Sequence, residues 1–332
     1  MLHTELTRRF GIEHPIIQAG MARWAGAELA GAVSVAGGLG TIGTIAARPD
    51  AVRAEIARVR EMTSLPFSVN LVCFDWAPFA GEMLDAVIEG RVPVVTLSFG
   101  APLAWLAPIH DVGLQSIVQV QDFAGARAAI AAGPDAIIVQ GTEAGGHTGR
   151  RGTLSFAAQV LDEAHGIPIV VAGGIATGRG LAAALAMGAA GVVMGTRFKA
   201  TPEFNADADV KAQIVASDGG NTFYGEVVDL VHGGRWPGGV TGRVLQSRFT
   251  DEWGGKPDAL VAAVKSDPEL FGEAMDRDPE RRLNWAGESS GLVHELVPAG
   301  EVVRRVAAEA EALLHKSAAA LAAGAAAGSR QS

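Results

Sequence analysis

The chain has 332 residues, 48% of them apolar, and 27 Lys+Arg against 36 Asp+Glu give it a formal charge of −9. An acidic chain has no general attraction for phosphate backbones or anionic lipid, so nucleic acid and membrane surfaces are set aside as partners. Its single cysteine, Cys73, excludes an internal disulfide and a cysteine-based metal site, and no metal is expected.

Short β-branched runs alternate with alanine-rich helical patterns along the first 200 residues. Candidate strands fall at 14–20, 39–43, 67–74, 92–99, 115–121, 136–141, 168–174 and 191–196. Helical patterns fall between them at 28–35, 49–62, 79–89, 102–110, 123–131, 154–164 and 178–187. Alternation of this kind implies parallel strands with helical crossovers. Runs such as Ile137-Ile138-Val139 and Ile169-Val170-Val171 are continuously apolar, as strands buried on both faces are. The number of strands, and the lack of a G-x-G-x-x-G turn after the first, favour an α/β fold of the TIM (β/α)8 barrel type over an open doubly wound sheet.

Beyond residue 200 the pattern changes. Residues 201–284 are rich in polar residues, glycine and tryptophan and show no clear strand alternation; 206–216 and 258–264 read as helices. The organisation expected is a barrel of residues 1–200 and 285–332, with 201–284 an inserted, mostly helical subdomain covering the active site. Residues 291–314 read as one amphipathic helix packing on strand eight, and the alanine-rich tail 317–332 extends it. The first residues lack a basic segment followed by an apolar run, so no signal peptide is expected and the cytoplasm is the default location. The insertion is compatible with a homodimer.

Ligands of such barrels bind where strands end. Strand seven ends in Ala172-Gly173-Gly174 and strand eight in Met194-Gly195-Thr196. Glycines let backbone N–H groups approach a phosphate, and a helix N-terminus behind them adds partial positive charge. The plainer alternative is that these glycines only make tight turns. Strand six ends in Glu143-Ala144-Gly145-Gly146-His147, a histidine bracketed by glycines at the barrel mouth. It is either a proton acceptor or a solvated loop residue. The other seven histidines show no metal-ligand spacing. Asn70 and Gln119 interrupt apolar strands, either to bond a ligand or to bond neighbouring backbone. Ala19, Gly20 and Met21 form a small turn after strand one that would let backbone reach a flat ring. Cys73 reads as a small core residue, Lys199 as a weak Schiff-base candidate, and Trp236, Trp253 and Tyr224 as core of the insertion.

The segment from Val139 through Glu143-Ala144-Gly145-Gly146-His147 resembles the E-A-G-G-H signature of the nitronate monooxygenase (2-nitropropane dioxygenase-like) family. Val170–Ile175, Val193–Phe198 and Trp285-Ala286-Gly287 through Leu292, similar to a W-A-G-x-x-x-G-L motif, extend the likeness over most of the chain. The resemblance implies an FMN-dependent oxidoreductase with His147 as catalytic residue. It places Gly20 and Met21 near the isoalloxazine, Asn70 and Gln119 in bonds to it, and Gly145 and Gly146 beneath it. Ala172, Gly173, Gly174, Gly195 and Thr196 hold the phosphate, and Gly287 and Ser290 approach the same cofactor. Many members carry proline where this chain has Gly20. The activity implied is oxidation of alkyl nitronates or nitroalkanes with O2. The alternatives are an NAD(P)H-dependent reductase of a quinone or enoyl thioester through the same flavin, and a non-redox phosphate-ligand barrel.

Overall fold

The computed structural model of the chain describes residues 2–74 and 79–328. All eight expected strands form: β1 (Ile16–Gln18), β2 (Gly40–Gly43), β3 (Phe67–Val72), β4 (Val94–Ser98), β5 (Gln115–Val120), β6 (Ala136–Gln140), β8 (Ile169–Ala172) and β9 (Gly191–Met194). They pair in parallel in the order β1-β9-β8-β6-β5-β4-β3-β2. The two end strands meet through the Ile17–Leu39 bridge. Gln18 completes that seam: its Oε1 accepts from Thr41 N–H at 2.9 Å and its Nε2 donates to Thr41 O at 3.1 Å. A side-chain amide thus stands in for ladder bonds that so short a strand cannot make, and the TIM barrel closes.

The apolar runs of the strands divide by parity, because successive side chains point to opposite faces. Val95, Leu97, Val118, Ile137, Val139, Ile169, Val171 and Val192 join the layer beneath the helices. Val94, Ile117, Ile138, Val170 and Val193 fill the barrel interior, together with Leu6 and Phe10 of the helix Glu5–Phe10. That helix starts at a Thr4 capping box and stops at Gly11 in the left-handed region, so it plugs the base as a compact unit. Toward the other end the inward positions turn polar: Asn70, Ser98, Gln119 and Gln140. The interior therefore runs from an apolar floor to a polar mouth.

The last helix, Ala299–Gly328, packs against Gly178–Ala186 and Ala27–Val35 and completes the outer ring. It starts later than the sequence pattern suggested. Pro298 disfavours helical backbone at the residue before it, and the motif Glu288–Leu292 is a 3-10 turn instead. Residues 329–332 of the expected tail lie outside the described residues.

Two strands inside 201–284 were not expected. β10 (Thr222–Gly225) and β11 (Thr241–Leu245) are too short and too glycine-broken to show alternation. They form an antiparallel sheet, β10-β11-β7, whose third strand is β7 (Gly146–Thr148), the histidine-bearing segment after β6. Val228, Val244, Phe249, Leu260 and Phe271 give this region its own apolar cluster. No helix among the described residues is long and apolar enough to cross a membrane.

Candidate active site

The loops after β8 and β9 leave the barrel side by side, because Ala172 pairs with Val193. Gly173 and Gly174 have φ of 113° and 73°, a region that favours glycine. A Cβ on Gly173 would lie 2.6 Å from Thr153 Oγ1. The amides of Gly173, Gly174, Gly195 and Thr196 donate to no other group among the described residues, whereas backbone donors in a fold are nearly always paired. Adjacent unpaired N–H groups beside glycines make an anion cradle, which fits a phosphate. The helix after strand seven contributes less than its sequence suggested. Its first amide, Gly178 N–H, donates to Glu309 Oε2 at 2.7 Å, so a carboxylate of the last helix already answers that N-terminus.

The Gly145 and Gly287 backbones press together. A Cβ on Gly145 would lie 2.5 Å from Ala286 C, and one on Gly287 would strike Glu143 O. Gly287 N–H donates to Thr196 Oγ1 at 3.0 Å, and Glu288 N–H to Glu143 O at 3.0 Å. The W-A-G segment is thus stitched to the loops after β6 and β9. Glu143 also caps the helix Thr153–Leu161, accepting from Thr153 N–H at 2.8 Å. Ser290 lies deeper: its hydroxyl bonds Ser217 Oγ at 2.8 Å, so its contribution runs through that network.

Ala19 N–H donates to Met194 O at 3.0 Å, which sets the β1 turn against the β9 loop. A Cβ on Gly195 would lie 3.5 Å from Ala19 Cβ and 3.7 Å from Met21 Sδ. Gly20 lies against Asn70, whose Cβ would be 2.5 Å from a Cβ at that position. Asn70 Nδ2 donates to Ser98 Oγ at 2.7 Å and Thr96 O at 3.2 Å. Gln119 Nε2 donates to Gln140 Oε1 at 3.0 Å, as does Gln121 Nε2 at 2.8 Å. Asn70 and Gln119 are therefore members of one amide and hydroxyl belt across β3 to β6. Ser98, Gln121 and Gln140 complete it and were not singled out from sequence, although each is a polar residue in or beside an apolar strand.

His147 sits on β7, not on a free loop. Its Nε2 lies 2.6 Å from Asp229 Oδ1, with 13% of the histidine side chain and 6% of the aspartate exposed. Asp229, on the helix Val227–Leu230, went unnoticed in the sequence because 82 residues separate the pair. Trp236 stacks on the imidazole at 3.7 Å and 16°, and Phe74 and Phe99 meet Trp236 edge-on. Trp285 tilts in at 4.9 Å. Trp236 therefore lines the site, contrary to its reading as core. Trp253 does pack internally, against Phe271, and Tyr224 Oη donates to Thr148 O and Gly149 O, pinning β7. Phe99 has φ of 59°, strained for a bulky residue, and is held there by Gly100 packed onto the Cys73 carbonyl and by Ala101 N–H donating to Cys73 O.

Lys199 is buried and its ammonium is taken up by protein acceptors. Its Nζ donates to Asn284 Oδ1 at 2.5 Å and Trp285 O at 2.8 Å, and burial pushes its ammonium down to about 7. It fastens the segment entering the W-A-G motif. Burial pushes the Cys73 thiol up to about 12, which fits a core residue. No cluster of metal-ligand residues occurs among the described residues.

A family model described as nitronate monooxygenase matches residues 3–80 and 76–309. The chain belongs to the nitronate monooxygenase family. It is a flavin-dependent oxidoreductase on a TIM barrel. Among its relatives, a nitronate monooxygenase of Pseudomonas aeruginosa is 32% identical, over 91% of this chain and 98% of its own. A (3aS,4S,5R,7aS)-5-hydroxy-7a-methyl-1-oxo-octahydro-1H-indene-4-carboxyl-CoA dehydrogenase of Mycobacterium tuberculosis is 36% identical, over 80% of this chain and 73% of its own. Among solved structures, FabK of Thermotoga maritima superposes with a TM-score of 0.83 at 34% identity, covering 95% of this chain and 98% of that one. The nitroalkane oxidase of Streptomyces ansochromogenes gives 0.81 at 31%, covering 95% and 100%.

Proposed function

We propose that this enzyme oxidises alkyl nitronates, and nitroalkanes after loss of a proton, using FMN and O2. The observation that carries the reading is His147, hydrogen-bonded to Asp229 and walled by aromatic rings, on the strand that follows the β6 loop packed against Gly287. The cradle of Ala172–Gly174, Gly195 and Thr196 suits the terminal phosphate of FMN, with Ala19, Gly20, Met21, Asn70, Gln119, Gly145, Gly146, Gly287 and Ser290 around the rest. FMN held there would supply the electron acceptor and the reactivity toward dioxygen. The protein's own part is electrostatic and protolytic. A nitronate carries its charge on the nitro oxygens, which an imidazole N–H can hydrogen-bond. A neutral nitroalkane first gives its α-proton to the imidazole. The aromatic wall excludes water and strengthens both interactions. Segment 201–284 supplies Asp229 and Trp236 and so forms the cover of the site. The cytoplasm is the proposed location and a homodimer the proposed assembly.

His147→Ala leaves protein that still binds FMN and loses most turnover of nitroalkanes, read by the flavin absorbance spectrum and oxygen uptake. Undiminished activity in that variant refutes the role. One specific observation favours a second reading: the CoA-thioester dehydrogenase relative at 36% identity supports a reductase of acyl or enoyl thioesters using NAD(P)H. Anaerobic mixing separates them. Flavin bleaching by a nitronate and not by NADPH supports the first; bleaching by NADPH supports the second.

A further inference from the structure

Asp229 has no part in the glycine cradle or the polar belt, yet it is buried at the end of a helix of only four residues. A buried carboxylate costs free energy unless it is paired and hydrogen-bonded. Its partner is His147, and the approach is built with care. Val228 and Leu230, on either side of Asp229, are buried in the apolar cluster of the insertion. On β11, Gly242 pairs with His147. A Cβ at Gly242 would lie 2.5 Å from Trp285 Cζ3 and 2.6 Å from Val228 Cγ2. Only a glycine there lets the helix and Trp285 close together around the imidazole. Trp236 then covers one face of the ring and Trp285 leans on it. The ring is thus fixed in plane by aromatic contacts and about its own axis by one hydrogen bond.

We propose that Asp229 is the positioning residue of the reaction: it holds the His147 proton on Nε2 and leaves Nδ1 as the ring atom that meets the substrate. This deepens the reading of His147 as proton acceptor and rests on it. An ionised carboxylate only accepts hydrogen bonds, so the 2.6 Å contact requires the hydrogen on Nε2. In the neutral imidazole the lone pair is then at Nδ1, which makes no hydrogen bond among the described residues. The step balances in protons and charge. The α-carbon of a neutral nitroalkane releases its proton to Nδ1, the C–H electron pair moves onto the nitro group, and the products are nitronate and imidazolium. The Nδ1–H so formed faces the new anion, and the Asp229 carboxylate faces the cation from the far side. Asparagine of the same shape can donate from its amide to Nε2 instead. That moves the ring hydrogen to Nδ1 and removes the lone pair the step needs.

The test compares wild type, Asp229→Asn, Asp229→Glu and His147→Gln, each loaded with FMN. Nitrogen-15 NMR of labelled histidine above pH 8, with the His147 signals assigned by their loss in His147→Gln, reads the tautomer without any turnover. The expected result is Nε2–H in wild type and in Asp229→Glu, and a gain of Nδ1–H in Asp229→Asn. Turnover of a neutral nitroalkane falls in Asp229→Asn by roughly 100-fold or more, the scale of a lost general base, mainly in kcat. Turnover of the pre-formed nitronate falls far less, and Asp229→Glu restores part of the loss. Wild type with the hydrogen on Nδ1, or Asp229→Asn with an unchanged tautomer, overturns the proposal. So does an equal loss on both substrates. Wild type inactive on both substrates, with the Asp229-dependent tautomer intact, refutes the nitronate reading while the positioning of His147 stands.

Discussion

Replacing Lys199 by methionine tests the fastening of the W-A-G segment. The ammonium is buried, and desolvation lowers its titration from 10.5 to about 7. The folded-state value lies below the unfolded one, so between these values the unfolded chain binds a proton that the folded chain does not. Stability therefore rises with pH across that window, by up to about 1.4 kcal/mol per pH unit from this group alone. At pH 7 the site is half protonated, and by pH 9 it is neutral; integrating gives a gain of about 2 kcal/mol for wild type between pH 7 and 9. Lys199→Met cannot show that gain. It also leaves Asn284 Oδ1 and Trp285 O without their shared donor, which costs about 1–3 kcal/mol for each acceptor left unsatisfied. The assay is urea unfolding of both proteins at saturating flavin, at pH 7, 8 and 9. The gap between them widens by about 2 kcal/mol toward pH 9. Parallel pH curves refute the reasoning, because they mean that the buried ammonium loses no proton in this range.

Other substitutions probe other parts of the molecule. Gly287→Ala drives a Cβ into the Glu143 carbonyl and displaces the Gly287 N–H from Thr196; it is expected to weaken flavin retention more than ten-fold, measured by fluorescence titration of the stripped protein. Gln18→Leu strips the Thr41 backbone of its partners in the barrel seam and is expected to lower unfolding stability by about 2–4 kcal/mol, read from urea midpoints. The Cys73 thiol, held near 12 by burial, stays unmodified by iodoacetamide at pH 8 in the folded protein and reacts on unfolding, as mass spectrometry will show.

The barrel was legible because its signals are local. Continuous β-branched apolar runs, alanine-rich helices and the glycines after strands seven and eight are each set by residues close together in the chain. Asn70 and Gln119 stood out for the same reason, as polar residues inside apolar strands. What escaped is non-local. Asp229 meets His147 across 82 residues, and nothing in Val228-Asp229-Leu230 marks the aspartate as unusual. Trp236 lies in a glycine-rich stretch whose path depends on the sheet that β7 shares with β10 and β11. That sheet was invisible because its strands are three to five residues long. The resemblance singled out His147, but its hydrogen-bond partner had to be read from packing.

The strand that bears His147 pairs with β11, a product of the insertion, while the glycine cradle belongs wholly to the barrel. On the function proposed above, coenzyme hold and proton handling fall largely to separate stretches of chain. A change around Asp229 or Trp236 can then redirect which molecule the imidazole meets without touching the glycine cradle. A lineage built on this plan can retain one coenzyme and trade substrates by rewriting the insertion alone.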